Sequence, residues 1–347
     1  MGSGDGQPVP GSLYFYGPNK GAAIFFTVAW AATALWHLYQ CIKFKAFKVT
    51  GLYPFTCLLF VVGFALRSYE AFDYGNVNIF IASNTLIYMA PPLVELANYH
   101  ILGRILYFVP YFAPMHPGRT LTTFGTISAL VEVLNAVGVA WMVNPNIEDD
   151  IKEVGEALLK ASLIIQIAVI VFFVSLVAVF QRRCAKQGGR DHARRIRPPI
   201  ATLYLSSALV MVRCIYRTVE YFGENTQRRP GMDPMSLSPV VRYEWFFYVF
   251  EGAVMLANAC MWNLRHPRLY LPQDHRVYLA QDGRTELVGD GYKDNRHFLI
   301  TLLDPFGWLL KDGSAKQTPF WETNGFGKDG RNASESTDAG ARGPAAV

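Results

Sequence analysis

The sequence predicts an all-α fold: an integral membrane bundle of seven transmembrane helices, with the amino terminus outside and the carboxyl-terminal tail in the cytosol. Three observations predict it. Of the 347 residues, 51% are hydrophobic and only 17% are charged, whereas ordinary soluble domains are about 25% charged. The apolar residues gather into seven stretches long enough to cross a bilayer, about 20 residues each. The basic residues exceed the acidic ones by five, and they sit between those stretches. That placement points to a membrane and not to nucleic acid. The five cysteines, at 41, 57, 184, 214 and 260, contain no CxxC pair, so neither a zinc ribbon nor a disulfide framework is indicated.

The spans are Ala22–Cys41, Leu52–Ser68, Val77–Leu102, Leu121–Val143, Ala157–Phe180, Pro199–Phe222 and Tyr243–Trp262. The first is too long for a signal peptide, and its lysines (Lys43, Lys45, Lys48) follow it instead of preceding it. The loops after spans one, three and five carry twelve lysines and arginines, seven of them between Arg182 and Arg197. The opposite segments carry five: Lys20, Lys152, Arg228, Arg229 and Arg242. Positive charge favours the cytosolic side, which places residues 1–21 outside. Residues 22–263 form the membrane domain and 264–312 a cytosolic tail. In that tail, Val277–Ala280 and Thr285–Val288 flank Gln281-Asp282-Gly283-Arg284 and read as a hairpin. The apolar run His297–Leu310 is too short to span, so it lies on the membrane or folds back on the bundle. Residues 313–347 have the composition of a disordered tail. Their sequon at Asn332 is cytosolic in this topology and should stay unmodified.

The functional signal is polar residues inside the spans. Arg67 and Glu70 lie in the second, Glu95, Asn98 and His100 in the third, and Ser128, Glu132 and Asn135 in the fourth. Arg213, Arg217 and Glu220 lie in the sixth, and Glu244, Tyr248, Glu251, Asn258 and Trp262 in the seventh. Three of these sets repeat at i, i+4, i+7, so each lies on one helical face. A charge at mid-bilayer depth costs about 2.5–3.5 kcal/mol, so the stripes must face one another or a wet cavity. Their convergence predicts a polar chamber lined by aromatics. Two readings of Arg213, Arg217 and Glu220 stand together, an ion-pair cluster that locks the helices or a binding surface. Glu70 and Glu244 read as structural, near a boundary where water makes charge cheap. Glu95, Glu132 and Glu251 lie deeper and read as functional. Pro91-Pro92 interrupts the third span, either as a simple kink or to free carbonyls for a site. No phosphate-binding loop is present, so ATP-driven pumping by this chain alone is not expected. No cofactor is expected, no metal-ligand spacing appears, and without a lysine the seventh span cannot hold a retinal Schiff base.

The chain resembles the RTA1-like family, the fungal lipid-translocating exporters, from about Tyr14 to Pro267. The resemblance rests on His37, on Gly63 with Arg67, on Ala90-Pro91, on Leu102-Gly103-Arg104 and on Gln166. Its strongest motifs are the run from Val212 to Glu220, the run from Tyr243 to Glu251, and His266-Pro267. His275 to Ala280 resembles the filamentous-fungal branch. The resemblance implies seven spans, residence in the plasma membrane or an internal membrane (endoplasmic reticulum or vacuole), and movement of, or resistance to, amphipathic lipids such as sphingoid bases and sterol-like compounds. Ser128, Asn135 and Glu251 replace the Asp, Gln and Asp of many members, and Glu95 and Glu132 are additions to the yeast-type pattern.

The expected partners are therefore membrane lipids or amphipathic small molecules. The expected substrate-binding residues are Arg67, Glu95, Asn98, Glu132, Asn135, Arg213, Arg217, Glu220, Tyr248 and Glu251. A second reading is a membrane-embedded isomerase or cyclase of a prenylated or epoxide-bearing metabolite, with Glu95 or Glu132 as general acid. A third is a seven-helix receptor, although the third span ends without Asp-Arg-Tyr and the seventh lacks Asn-Pro-x-x-Tyr.

Overall fold

The computed structural model describes residues 9, 12–14, 16–73, 75–143, 148–223, 234–272, 274, 276–289 and 298–306. The sequon and the tail beyond residue 306 lie outside these, as do Arg228 and Arg229. Among the described residues, seven helices are long and apolar enough to cross a membrane. They are α1 (Lys20–Lys43), α2 (Leu52–Glu70), α3 (Val77–Phe108), α4 (Pro117–Val143), α5 (Asp149–Gln187), α6 (Gly189–Phe222) and α7. The last consists of Glu244–Phe247, a π-helical stretch Tyr248–Ala253, and Val254–Leu264. This is a multi-pass membrane protein. Successive helices pack on one another, α7 closes the ring against α6 and α1, and α3 also reaches α6 across the middle. Leu, Val, Ile and Phe side chains left exposed on the outer faces, such as Phe25, Leu35, Leu130 and Val171, suit contact with lipid.

Three expectations are corrected here. Pro91 and Pro92 do not interrupt α3, which is helical from Val77 to Phe108. Both prolines are buried, and packing against neighbouring helices holds the turn where the ladder lacks two donors. The basic segment after the fifth span is not a loop. α5 continues to Gln187 and α6 starts at Gly189, so the two form a hairpin turning at Gly188. Arg, Lys, Gln and Ala are good helix formers, and Arg182, Arg183 and Lys186 point outward into exposed positions. The third correction concerns the seventh span, which is not a plain α-helix. The wider π turn shifts the register between Tyr248 and Glu251.

Close approach explains Gly63. A Cβ there would stand 2.6 Å from Ile87 Cγ1 and 3.3 Å from the Ile87 backbone nitrogen, so α2 and α3 could not meet as they do. Ser83 on α3 donates to the Gly63 carbonyl at the same crossing (3.2 Å). Small residues at such contacts are the usual means of packing helices in a membrane.

Beyond α7, β1 (Val277–Leu279) and β2 (Glu286–Val288) form an antiparallel hairpin, with Val277 opposite Val288. Gly283 takes the left-handed turn position at φ 71°. The hairpin is built into the bundle. Arg104 near the end of α3 donates to the carbonyls of Asp274 (2.6 Å) and Val277 (3.3 Å), and Tyr278 and Leu279 are fully buried. His192 on α6 lies 3.2 Å from the Ala280 carbonyl. The helix Phe298–Leu303 folds back on α4. The amino-terminal segment docks at the opposite end. The two ends are called the amino-terminal face and the hairpin face below.

Candidate polar column through the bundle

The polar side chains meet in layers between the two faces. At the amino-terminal face, Arg67 is wholly buried and donates to Glu244 Oε1 (3.0 Å) and to the Tyr16 hydroxyl (3.1 Å). Its guanidinium lies over the rings of Tyr14 (4.4 Å) and Phe247 (4.1 Å), a cation–π arrangement that suits a desolvated arginine. The second oxygen of Glu244 accepts from the Asn19 backbone nitrogen (2.7 Å), and Glu70 accepts from the Tyr14 hydroxyl (2.6 Å). The expectation that water surrounds Glu70 and Glu244 is therefore overturned. Both are buried beneath an amino-terminal segment that brings Tyr14, Tyr16 and Asn19 to this layer. Beside them Arg217 pairs with Glu220 and stacks on Tyr88 (3.9 Å). Tyr248 stacks on Phe26 and lies 5.5 Å from the Arg67 guanidinium. A cavity of about 270 Å³ opens in this layer, lined in part by Tyr14, Arg67, Asn84, Tyr88 and Glu220.

One turn deeper, Arg213 Nε donates to both oxygens of Glu251 (2.8 and 3.0 Å), joining α6 to the π turn of α7. Both side chains are almost inaccessible. A buried pair of this kind is held together strongly once formed, since removing one partner leaves the other charge stranded.

The third layer holds Glu95. It is buried, and its oxygens accept from Gln166 Nε2 on α5 (2.9 Å) and the Tyr99 hydroxyl (2.9 Å). Tyr99 in turn lies 3.1 Å from Ser128 on α4. Among the described residues no Lys, Arg or His forms a salt bridge with Glu95. A cavity of about 10 Å³ adjoins it, lined by Asn98, Tyr99, Phe173 and Ser207 among others. Glu132 and Asn135 lie on α4 at the edge of this layer, only partly buried, with Asn135 the polar neighbour of Glu132.

The fourth layer is a closed network. Asn98 accepts from the Tyr53 hydroxyl (3.1 Å) and donates to Ser206 (2.8 Å), which also accepts from Trp262 Nε1 (3.1 Å). His37 lies 3.1 Å from the Ala259 carbonyl, and Gln40 donates to the Asn263 carbonyl (2.8 Å). These two pin α1 to α7.

The structure thus gathers Arg67, Tyr248, Arg217 and Glu220 in the first layer, Arg213 and Glu251 in the second, and Glu95 in the third. Asn98 falls in the fourth layer, while Glu132 and Asn135 stay peripheral. Among the described residues the stripes bond to one another, with a space of about 270 Å³ at the amino-terminal face and one of about 10 Å³ at Glu95. Tyr16, Tyr53, Tyr99 and Ser206 were missed by sequence reasoning. Tyrosine and serine carry no charge to draw notice, and only the packed fold shows what they bond.

The profile of the RTA1-like protein family matches residues 54–274, well over half of the chain. The chain belongs to the RTA1-like family. Its matched region covers the polar column except Tyr53 and the parts on α1 and the amino-terminal segment, and it ends just before the hairpin. A lipid-translocating exporter-like protein RTA1 from the filamentous fungus Leptosphaeria maculans is 43% identical over 88% of this chain. The chain spans 61% of the length of that relative. A probable lipid transporter of Emericella nidulans is 24% identical over 74% of the chain and 68% of its own length. Protoporphyrin uptake protein 1 of Saccharomyces cerevisiae is 26% identical over 70% of the chain and 88% of its own length. No solved structure matches this RTA1-like chain.

Proposed function

We propose that this chain moves amphipathic lipids across its membrane, or confers resistance to them, with the polar head following the column and the aliphatic tail remaining between apolar helix faces. The names of the relatives support lipid transport as the class. The observation that carries the reading is Glu95, a carboxyl in the middle of the bundle held by two neutral hydrogen-bond donors and, among the described residues, by no salt bridge of its own, since the nearby Arg213 is paired with Glu251. A structural carboxylate at this depth needs a counter-charge. One without it is suited to receive a cationic head, such as the amine of a sphingoid base, or to take up and release a proton. Gln166 and Tyr99 hold it in place, and Glu132 at the edge of the same layer offers a second acidic contact. The cavity bounded by Arg67, Tyr88 and Glu220 is the point of entry at the amino-terminal face, which the loop charges put outside the cytosol. Between entry and Glu95 stands the Arg213–Glu251 pair, so passage requires α6 and α7 to part there. The π turn, which shifts register at that point, is where α7 yields. Proton coupling at Glu95 provides a driving force in a chain that lacks a nucleotide-binding motif. The plasma membrane or an internal membrane of the secretory or vacuolar system is the setting.

Mass spectrometry of small molecules retained by the purified protein tests this reading. A sphingoid base or similar amphipath is the expected result. A prenylated metabolite together with its isomer would instead establish the isomerase or cyclase alternative, and would overturn transport.

A further inference from the structure

At the hairpin face, the turn after α1, the end of α3 and the chain after α7 enclose a cavity of about 240 Å³. Lys45, Lys48, His100, Arg104 and Arg268 line it, and among the described residues no acidic side chain does. Arg268 gives Nη1 to the Leu271 carbonyl (2.7 Å), while its buried Nε has no partner among the described residues. Lys45 and Lys48 form no ion pair among the described residues. The Asp274 carboxylate accepts from Arg276 (2.9 Å). Arg104 is held by backbone carbonyls of the tail, so the wall it belongs to is fixed in place. A concave space with several cations and no lining anion concentrates negative ligands.

The placement of this cavity selects the kind of anion. α1 has 24 residues, about 36 Å of helix, which is enough to cross the hydrocarbon core, so the turn that follows lies at headgroup depth. Lys45 is the one described non-glycine residue with positive φ, at 50°. It ends α1 with Lys45 N bonded to the Ile42 carbonyl and Ala46 N bonded to the Cys41 carbonyl, the paired pattern that glycine normally serves. A long cationic side chain therefore stands where local geometry favours none. Exposed apolar side chains adjoin the basic ones in sequence: Phe47 beside Lys48, and Leu269 beside Arg268. Apolar groups for acyl chains next to cations for a phosphate describe a lipid, not a free ion.

We propose that this cavity binds the phosphate headgroup of an anionic phospholipid from the leaflet at the hairpin face. It lies at the opposite end of the bundle from the entry cavity and does not depend on what the column carries.

The test uses the full chain in phosphatidylcholine nanodiscs, with and without phosphatidic acid, and in phosphatidylcholine discs with added inorganic phosphate. Native mass spectrometry reads retained lipid and thermal melting reads stability. Phosphatidic acid should be retained and should raise the melting temperature. Lys45→Gln with Lys48→Gln should weaken its apparent affinity about 30-fold, with melting in phosphatidylcholine alone unchanged. If the double variant melts lower there, the single exposed Lys48→Gln carries the test, with about a 5-fold loss expected. Equal retention of phosphatidic acid by variant and wild type would overturn the proposal, as would no preference for it over phosphatidylcholine. Equal protection by inorganic phosphate would overturn the lipid as its source.

Discussion

Arg213 and Glu251 are each other's salt-bridge partners in a part of the bundle closed to water. Arg213→Leu strands the carboxylate and should cost about 3–5 kcal/mol, read as a lower melting temperature and a smaller monodisperse fraction in detergent. Arg213→Met combined with Glu251→Met removes both charges and should recover most of that loss. A single variant that melts like wild type would show that the pair holds nothing. Sequence spacing put Arg213, Arg217 and Glu220 on one face of one helix. It did not assign the partners, since Arg217 turns to Glu220 on its own helix while Arg213 reaches across to α7. That choice depends on the register between two helices, and the π turn sets it. The same limit hid the difference between Glu95 and Glu251. Both are acids in apolar spans, and only the fold shows that one meets an arginine and the other a glutamine and a tyrosine.

At the scale of elements, the apolar cores of all seven spans were legible, because about 20 apolar residues in a row have few other uses. Their ends were not. The α5–α6 hairpin is built from charged helix formers that hydropathy reads as loop, and the two prolines of α3 are tolerated because packing compensates the lost donors. Lys45 at the end of α1 is likewise invisible in sequence, where a Gly would have marked the stop. Its left-handed conformation makes a prediction. Lys45→Gly should raise unfolding free energy by about 1 kcal/mol through relief of that conformation, seen as a higher melting temperature in phosphatidylcholine discs. It should at the same time weaken retention of phosphatidic acid. A destabilised Lys45→Gly chain would show that the lysine is a structural cap.

For the molecule as a whole, the column has a direction only if the faces are assigned. The basic asymmetry between the two sides predicts that the amino-terminal face lies outside. A glycosylation acceptor introduced near residue 11 should be modified, and one near residue 328 should not. The reverse pattern would invert the entry and the headgroup cavity together. The central claim is that Glu95, a buried carboxyl with no salt bridge among the described residues, takes part in moving a lipid head. The most direct measurement is transbilayer movement of a fluorescent sphingoid base in liposomes containing the purified chain, compared between wild type, Glu95→Gln and Glu132→Gln at equal folded content. Gln keeps hydrogen-bonding capacity toward Gln166 and Tyr99, so Glu95→Gln should melt within a few degrees of wild type. Its rate should fall at least about 10-fold, the range of a lost acid–base or charge contact, with a smaller loss for the peripheral Glu132→Gln. A well-folded Glu95→Gln chain that moves the lipid at the wild-type rate would contradict the account.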